Sequence, residues 1–135
     1  MTRAFADTFY FLAVLNHHDP AHQKSLEFYG DDSLNFITTE WVLTEAGDAT
    51  AAPPARQKFR ELMGVLTDDD QVKIVTASHE LFERGSALYF QRPDKKWSLT
   101  DCISFVVMSD EGLRDALTGD RHFEQAGFNV LLPEK

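Results

Sequence analysis

Four acidic residues stand where chemistry could use them. Asp7 interrupts the apolar, aromatic run "RAFADTFYFL", Glu45 lies in "TEWVLTEAGD", Asp101 in "WSLTDC" and Asp120 in "LTGDRHF". An ionised acid among apolar neighbours is costly to bury unless something pairs with it, so Asp7 needs a compensating partner. Carboxylates gathered at one place repel and raise one another's pKa. A hard divalent cation removes that conflict, because Mg2+ and Mn2+ prefer oxygen ligands and bind through few carboxylates, waters and substrate phosphate. Such a site can lower the pKa of a bound water, orient it at phosphorus and stabilise the departing oxygen.

Each acid also has an ordinary structural use. Asp7 could cap the following helix, "TFYFLAVLN", with its side-chain oxygen on backbone N–H groups. Asp101 completes Ser98-x-x-Asp101, a capping box. Asp120 could be a turn residue after Gly119, and Glu45 a half-exposed helix acid that shares a face with Trp41 and Ala49 and points partly toward them. Capping and ligation are compatible, since a carboxylate has two oxygens.

Position separates these readings, and position depends on the elements. Short β-rich pieces fit "RAFA" before Asp7, "NFIT" at 35–38, "VKIV" at 72–75, "DALT" at 115–118 and "NVLL" at 129–132. Between them lie helical patterns: "PAHQKSLEFY" and "PARQKFRELMGVL", each opened by proline, and residues 78–92, with Leu81, Phe82, Gly85, Leu88 and Tyr89 at helical spacing and Ser78 as cap. "CISFVVM" at 102–108 is apolar all round, as a helix buried mid-domain would be. Strands alternating with helices predict an α/β fold, a three-layer sandwich around a mostly parallel five-stranded sheet. Ligands in such folds collect at the carboxyl ends of the strands. Asp7 follows the first predicted strand and Asp120 the fourth, Asp101 opens the buried helix, and Glu45 sits in the helix after the second strand. Two or more of these acids should meet at one rim of the sheet.

The bulk of the chain sets outer bounds. With 135 residues, 43% of them hydrophobic, it suits one domain spanning 1–135 with a real core. No segment approaches the ~20 consecutive apolar residues of a membrane helix, and the start lacks the basic, apolar and small-residue series of a signal peptide. The single cysteine, Cys102, allows no internal disulfide and fits a reducing, cytoplasmic setting as a small buried filler. A net charge of −9 argues against a general nucleic-acid binder, although acids gathered around divalent cations would contribute to it and still attract phosphate.

Other side chains could grip a phosphate or a metal. "RPDKKW" places Arg92, Lys95, Lys96 and Trp97 just before Asp101, where cations could hold flanking phosphates and Trp97 could either stack a base or anchor the next helix in the core. Arg121 beside Asp120 is a second phosphate contact or a surface charge, and "RQKFR" at 56–60 reads as the wet face of its helix. His18 and His22 have the i, i+4 spacing that can bind zinc, but Pro20 falls between them. His122 reads as an exposed helix histidine or a substrate contact.

The set "FADTFYFLAVLN", "TTEWVLTEAGD", "WSLTDCISFVVM" and "ALTGDRHFEQAGF" resembles the PIN-domain family, especially its short VapC-like ribonucleases, over nearly the whole chain, from about Ala4 to Val130. The resemblance implies a strand order of 3-2-1-4-5 and an acidic pocket of Asp7, Glu45, Asp101 and Asp120 holding one or two Mg2+ or Mn2+ ions. It implies a metal-dependent endoribonuclease, cutting single-stranded or loop RNA to leave a 5′-phosphate and a 3′-hydroxyl. It further implies the toxin of a toxin–antitoxin pair, with an antitoxin protein and a second copy of the chain as partners. A hydroxyl near the metal is also implied, for which Thr118, Thr8 and Thr100 are the local candidates, Thr118 best placed. Asp7, Asp101 and Asp120 would then be the main ligands, with Glu45 a further ligand or the general base. Apolar surface for a homodimer could come from "WVL" or "FRELMGVL", if these are not core. The alternative is a module of the same fold that binds RNA or protein without cutting. A metal-dependent phosphatase suits Asp7 less well, because Phe9 stands where its second acid is expected.

Overall fold

A computed structural model describes residues 2–133. Its centre is a five-stranded, all-parallel sheet in the order β3-β2-β1-β4-β5. The strands are β1 (Thr2–Ala6), β2 (Leu34–Thr39), β3 (Val72–Val75), β4 (Asp115–Leu117) and β5 (Asn129–Val130). Around it lie α1 (Thr8–Leu15), α2 (His22–Tyr29), α3 (Glu40–Ala49), α4 (Pro53–Asp68), α5 (His79–Gln91), α6 (Leu99–Asp110) and α7 (His122–Gln125). The arrangement is the three-layer α/β sandwich expected from the sequence, with the strand order that the resemblance implies.

The second half of the central strand is fully buried, as a strand covered on both faces must be. Ala4, Phe5 and Ala6 have no exposed surface, and Phe5 stands in register with Ile37 on one side and Ala116 on the other. β4 ends early because the Thr118 amide turns back to the Ala116 carbonyl at 3.0 Å. β5 is shorter than "NVLL", yet the Leu131 and Leu132 amides still bond to Ala116 and Thr118 across 3.0 and 3.1 Å. Those bonds bring residues 131 and 132 back beside the segment that carries Asp120.

Local chemistry sets where the helices begin. Thr39 ends β2 and caps α3, accepting the Val42 amide at 3.1 Å, and Ser78 caps α5 by accepting the Leu81 amide at 3.2 Å. Prolines open α4 but not α2, which begins two residues after Pro20. α6 is buried along most of its length, including Cys102, Ile103, Phe105, Val107 and Met108. It packs closely on α5 because Gly85 has no side chain: a β-carbon there would lie 2.3 Å from Cγ1 of Ile103. Phe105 meets Trp97 and Phe123 edge-on at ring separations of 5.1 and 4.9 Å, which ties α6 to the loop before it and to α7. No helix among the described residues is long and apolar enough to cross a membrane.

Candidate metal and active site

Asp7 immediately follows β1 and is 4% exposed. It occupies the first cap position of α1 but makes no side-chain capping bond; its carbonyl accepts the Tyr10 amide at 3.0 Å instead. The carboxylate turns to β4: the Thr118 hydroxyl donates to Oδ2 of Asp7 at 2.8 Å. The same Thr118 oxygen accepts the Asp120 amide at 3.0 Å. One fully buried hydroxyl therefore fixes the side chain of one acid and the backbone of another.

Asp101 has the capping role read from the sequence. Its Oδ2 accepts the Ser98 amide at 3.1 Å, and its own amide donates to Ser98 Oγ at 3.0 Å. That same Oδ2 lies 3.1 Å from Nδ1 of His122, whose backbone amide donates to Oδ1 of Asp120 at 2.9 Å. Glu45 is exposed at the rim, where Oε1 accepts the Thr8 hydroxyl at 2.5 Å. Phe9 and Leu12 line the same pocket beside it, while α3 turns Val42, Leu43 and Ala46 into the core.

The electrostatics follow from this crowding. Burial, and then the charge of Asp101, push the carboxyl of Asp7 up to about 7, with Asp120 adding to the effect. The hydrogen bond from Thr118 and the Thr8 amide act in the opposite direction without cancelling it. Asp101 is raised too, by burial and then by Asp120, while the Ser98 amide and His122 hold it down. Protons or a cation must therefore relieve the repulsion near neutral pH.

The donor set fits a divalent ion. Asp101, Asp120 and His122 offer ligand atoms within 4.8 Å of one another. The Oδ1 of Asp101 and Oδ2 of Asp120 accept no hydrogen bond among the described residues, so each acid keeps an oxygen for a ligand. Carboxylate oxygens suit Mg2+ or Mn2+, and an imidazole among them is better matched to Mn2+ than to Mg2+.

Asp7, Thr8, Glu45, Lys96, Asp101, Asp120 and His122 all line one open pocket of about 320 Å3 at the carboxyl edge of the sheet. The other sequence candidates fall elsewhere. Thr100 is not among its lining residues, Arg92 and Lys95 line an adjoining groove, and Arg121 pairs with Glu124 at 2.8 Å. Trp97 is 6% exposed and donates Nε1–H to Gln125 Oε1 at 3.1 Å, so it anchors the core and is closed to a stacking base. His18 lies in the loop between α1 and α2 while His22 opens α2, and His22 Nδ1 faces the Ala13 carbonyl at 2.7 Å. In place of that zinc pair, the histidine that meets the pocket acids is His122, which is half-buried rather than exposed. Its position two residues after Asp120, across a tight turn, was the available signal.

A parallel 3-2-1-4-5 sheet with acids gathered at its carboxyl edge defines a PIN-like α/β domain. Comparison with known proteins agrees. The chain is 25% identical over 138 aligned residues to the 23S rRNA-specific endonuclease VapC20 of Mycobacterium tuberculosis, covering 96% of this chain and 98% of the relative, in both strain CDC 1551 and strain H37Rv. Its fold matches the crystal structure of M. tuberculosis VapC20, described as a sarcin–ricin loop cleaving toxin, with a TM-score of 0.85, 21% identity and coverage of 96% and 99% of the two chains. It also matches VapBC2 from Rickettsia felis, solved with a promoter DNA fragment, with a TM-score of 0.67, 11% identity and coverage of 96% and 97%. No family model matches the chain. These likenesses support the VapC-like PIN-domain resemblance read from the residues.

Proposed function

We propose that this chain is a VapC-like endoribonuclease, dependent on Mg2+ or Mn2+, that serves as the toxin of a toxin–antitoxin pair. The observation that carries the reading is the meeting of Asp7, Asp101 and Asp120 from three distant parts of the chain, with Asp7 pushed up to about 7 by burial and repulsion. A carboxyl pocket with no use for a cation would relieve that repulsion by keeping fewer acids. The activity of VapC20 toward 23S rRNA makes ribosomal RNA the first substrate to test.

In this reading Asp7, Asp101 and Asp120 hold the metal, directly or through water. When bound, one or two divalent ions would neutralise the acids and the scissile phosphate and supply a water of lowered pKa. Thr118 locks the rotamer of Asp7, and Ser98 with His122 locks that of Asp101. Glu45, with Oε1 tied to Thr8, keeps Oε2 for a water and acts as general base. The water oxygen bonds to phosphorus, the bond from phosphorus to the 3′-oxygen breaks, and that oxygen takes up a proton. The products are a 5′-phosphate and a 3′-hydroxyl. The cytoplasm, an antitoxin and a second copy of the chain complete the proposal. The acidic surface suits an antitoxin segment that carries arginine.

The test is incubation of pure protein with total RNA in Mg2+, Mn2+ or EDTA, followed by mapping of the cut ends. Metal-dependent cuts with the stated ends are expected. Near wild-type cleavage by Asp7→Asn or Asp101→Asn protein would overturn the site. Absence of both RNA cleavage and Mn2+ binding heat would leave a binding module of the same fold.

A further inference from the structure

A second cluster adjoins the acid pocket and shares a residue with it. The end of α5 and the loop after it form a shallow groove of about 370 Å3, lined by Tyr89, Phe90, Arg92, Lys95, Lys96 and Trp97. Phe90 is 74% exposed and Tyr89 43%, with their rings edge-on at 5.5 Å. In a chain of net charge −9, three cations stand within five positions here. Arg92 is taken up by Asp94, with two bonds of 2.9 Å, and its guanidinium lies 5.1 Å over the Trp97 ring. Lys95 and Lys96 make no ion pair among the described residues. Lys96 lines both this groove and the acid pocket.

We propose that Tyr89, Phe90, Lys95 and Lys96 form a platform for an unpaired stretch of RNA flanking the scissile phosphate. The proposal rests on the ribonuclease reading. Lysines meet the phosphates, while exposed rings offer faces on which unpaired bases stack, a mode tolerant of sequence. Charge favours RNA over a protein surface as occupant: Lys95 and Lys96 stand without an ion-pair partner among the described residues, directly beside the acid pocket. Lys96 makes the path continuous from platform to acids. The stacking role that the sequence offered to Trp97, whose ring is covered by Arg92 and the core, thus passes to Phe90 and Tyr89. An RNA helix keeps its base faces stacked inside, so the platform selects single strands and loops.

The test uses full-length protein carrying Asp7→Asn, in Mg2+, with a labelled single-stranded oligoribonucleotide read by fluorescence anisotropy. Phe90→Ala should weaken binding about tenfold, and Tyr89→Ala by a similar amount. Lys96→Gln should lower the slope of log affinity against log salt by about 0.7. A duplex of the same sequence should bind weakly and should not respond to Phe90→Ala. Unchanged affinity for Phe90→Ala and Lys96→Gln, with metal-dependent cleavage intact in the otherwise native chain, overturns the platform and leaves the nuclease standing. Failure of the native chain to cut any RNA overturns the nuclease reading instead. If Phe90→Ala leaves RNA affinity alone but converts a dimer to a monomer in light scattering, the face, including the 44%-exposed Phe82, belongs to protein association and the proposal falls.

Discussion

The hydroxyl of Thr118 donates to Oδ2 of Asp7 across 2.8 Å, joining residues 111 positions apart in the chain. Both groups are buried, and the same threonine oxygen receives the Asp120 amide. Thr118→Val keeps the shape and removes the donor and acceptor. Leaving those partners unsatisfied should cost about 1–3 kcal/mol of stability and lower RNA cleavage by an order of magnitude or more. Thr118→Ser should retain most of both. Melting temperatures and initial cleavage rates of the two variants check this.

Asp7 makes the metal-free protein sensitive to pH. Its carboxyl is raised from 3.8 to about 7, so between those values the unfolded chain releases a proton that the folded one keeps. The contribution of Asp7 to stability is therefore full below about pH 4, falls as pH rises toward 7, and levels off above it, by at most ~4 kcal/mol at 1.36 kcal/mol per unit. Asp7→Asn should flatten this slope and be the more stable protein at pH 8 without metal. Mn2+ should raise the melting point of the native chain at pH 8 and do little for the variant. Urea titrations across pH 5 to 8, with and without Mn2+, give the answer.

Glu45 differs from the other acids in being exposed. Glu45→Gln keeps an acceptor for Thr8 and should leave the stability within about 0.5 kcal/mol of native. As general base its loss should slow cleavage by ~10²–10⁴-fold. A matched drop in Mn2+ affinity by calorimetry would assign it to the metal instead.

Gly85 carries a prediction far from the chemistry. A β-carbon there meets Ile103 at 2.3 Å from Cγ1 and 3.1 Å from the backbone Cα, so Gly85→Ala must push α5 and α6 apart. Overpacking of this kind costs ~1–3 kcal/mol. Ile103→Val on that background should recover part of the loss, since it thins the side chain that is struck. Urea unfolding of the single and double variants measures both.

Much of the fold was legible because its signals are local. The five strands are brief β-branched or apolar pieces between turn residues, and Thr39, Ser78 and Ser98 start helices through bonds to amides three positions on. The edge on which Asp7, Asp101 and Asp120 meet follows from parallel topology, which places every strand end together. The remainder depends on contacts between distant residues. Whether Trp97 faces a base or the core is decided by Gln125 and Phe105, and whether His122 is idle or engaged is decided by Asp101. Glu45 lines the pocket with Phe9 and Leu12, but its exposure depends on α3 inserting Val42, Leu43 and Ala46 instead.

The capping box of Asp101 has a consequence for how loss of function would look in this chain. The oxygen that starts α6 belongs to the same carboxylate that faces the pocket, so deleting the side chain frays the most buried helix as well as the centre beside it. A lineage that abandoned catalysis would still be pressed to keep an acceptor there, whereas Asp120, less buried and at a turn, would give up only the bond from the His122 amide. Erosion of the chemistry should therefore leave its first mark at position 120 and its last at 101.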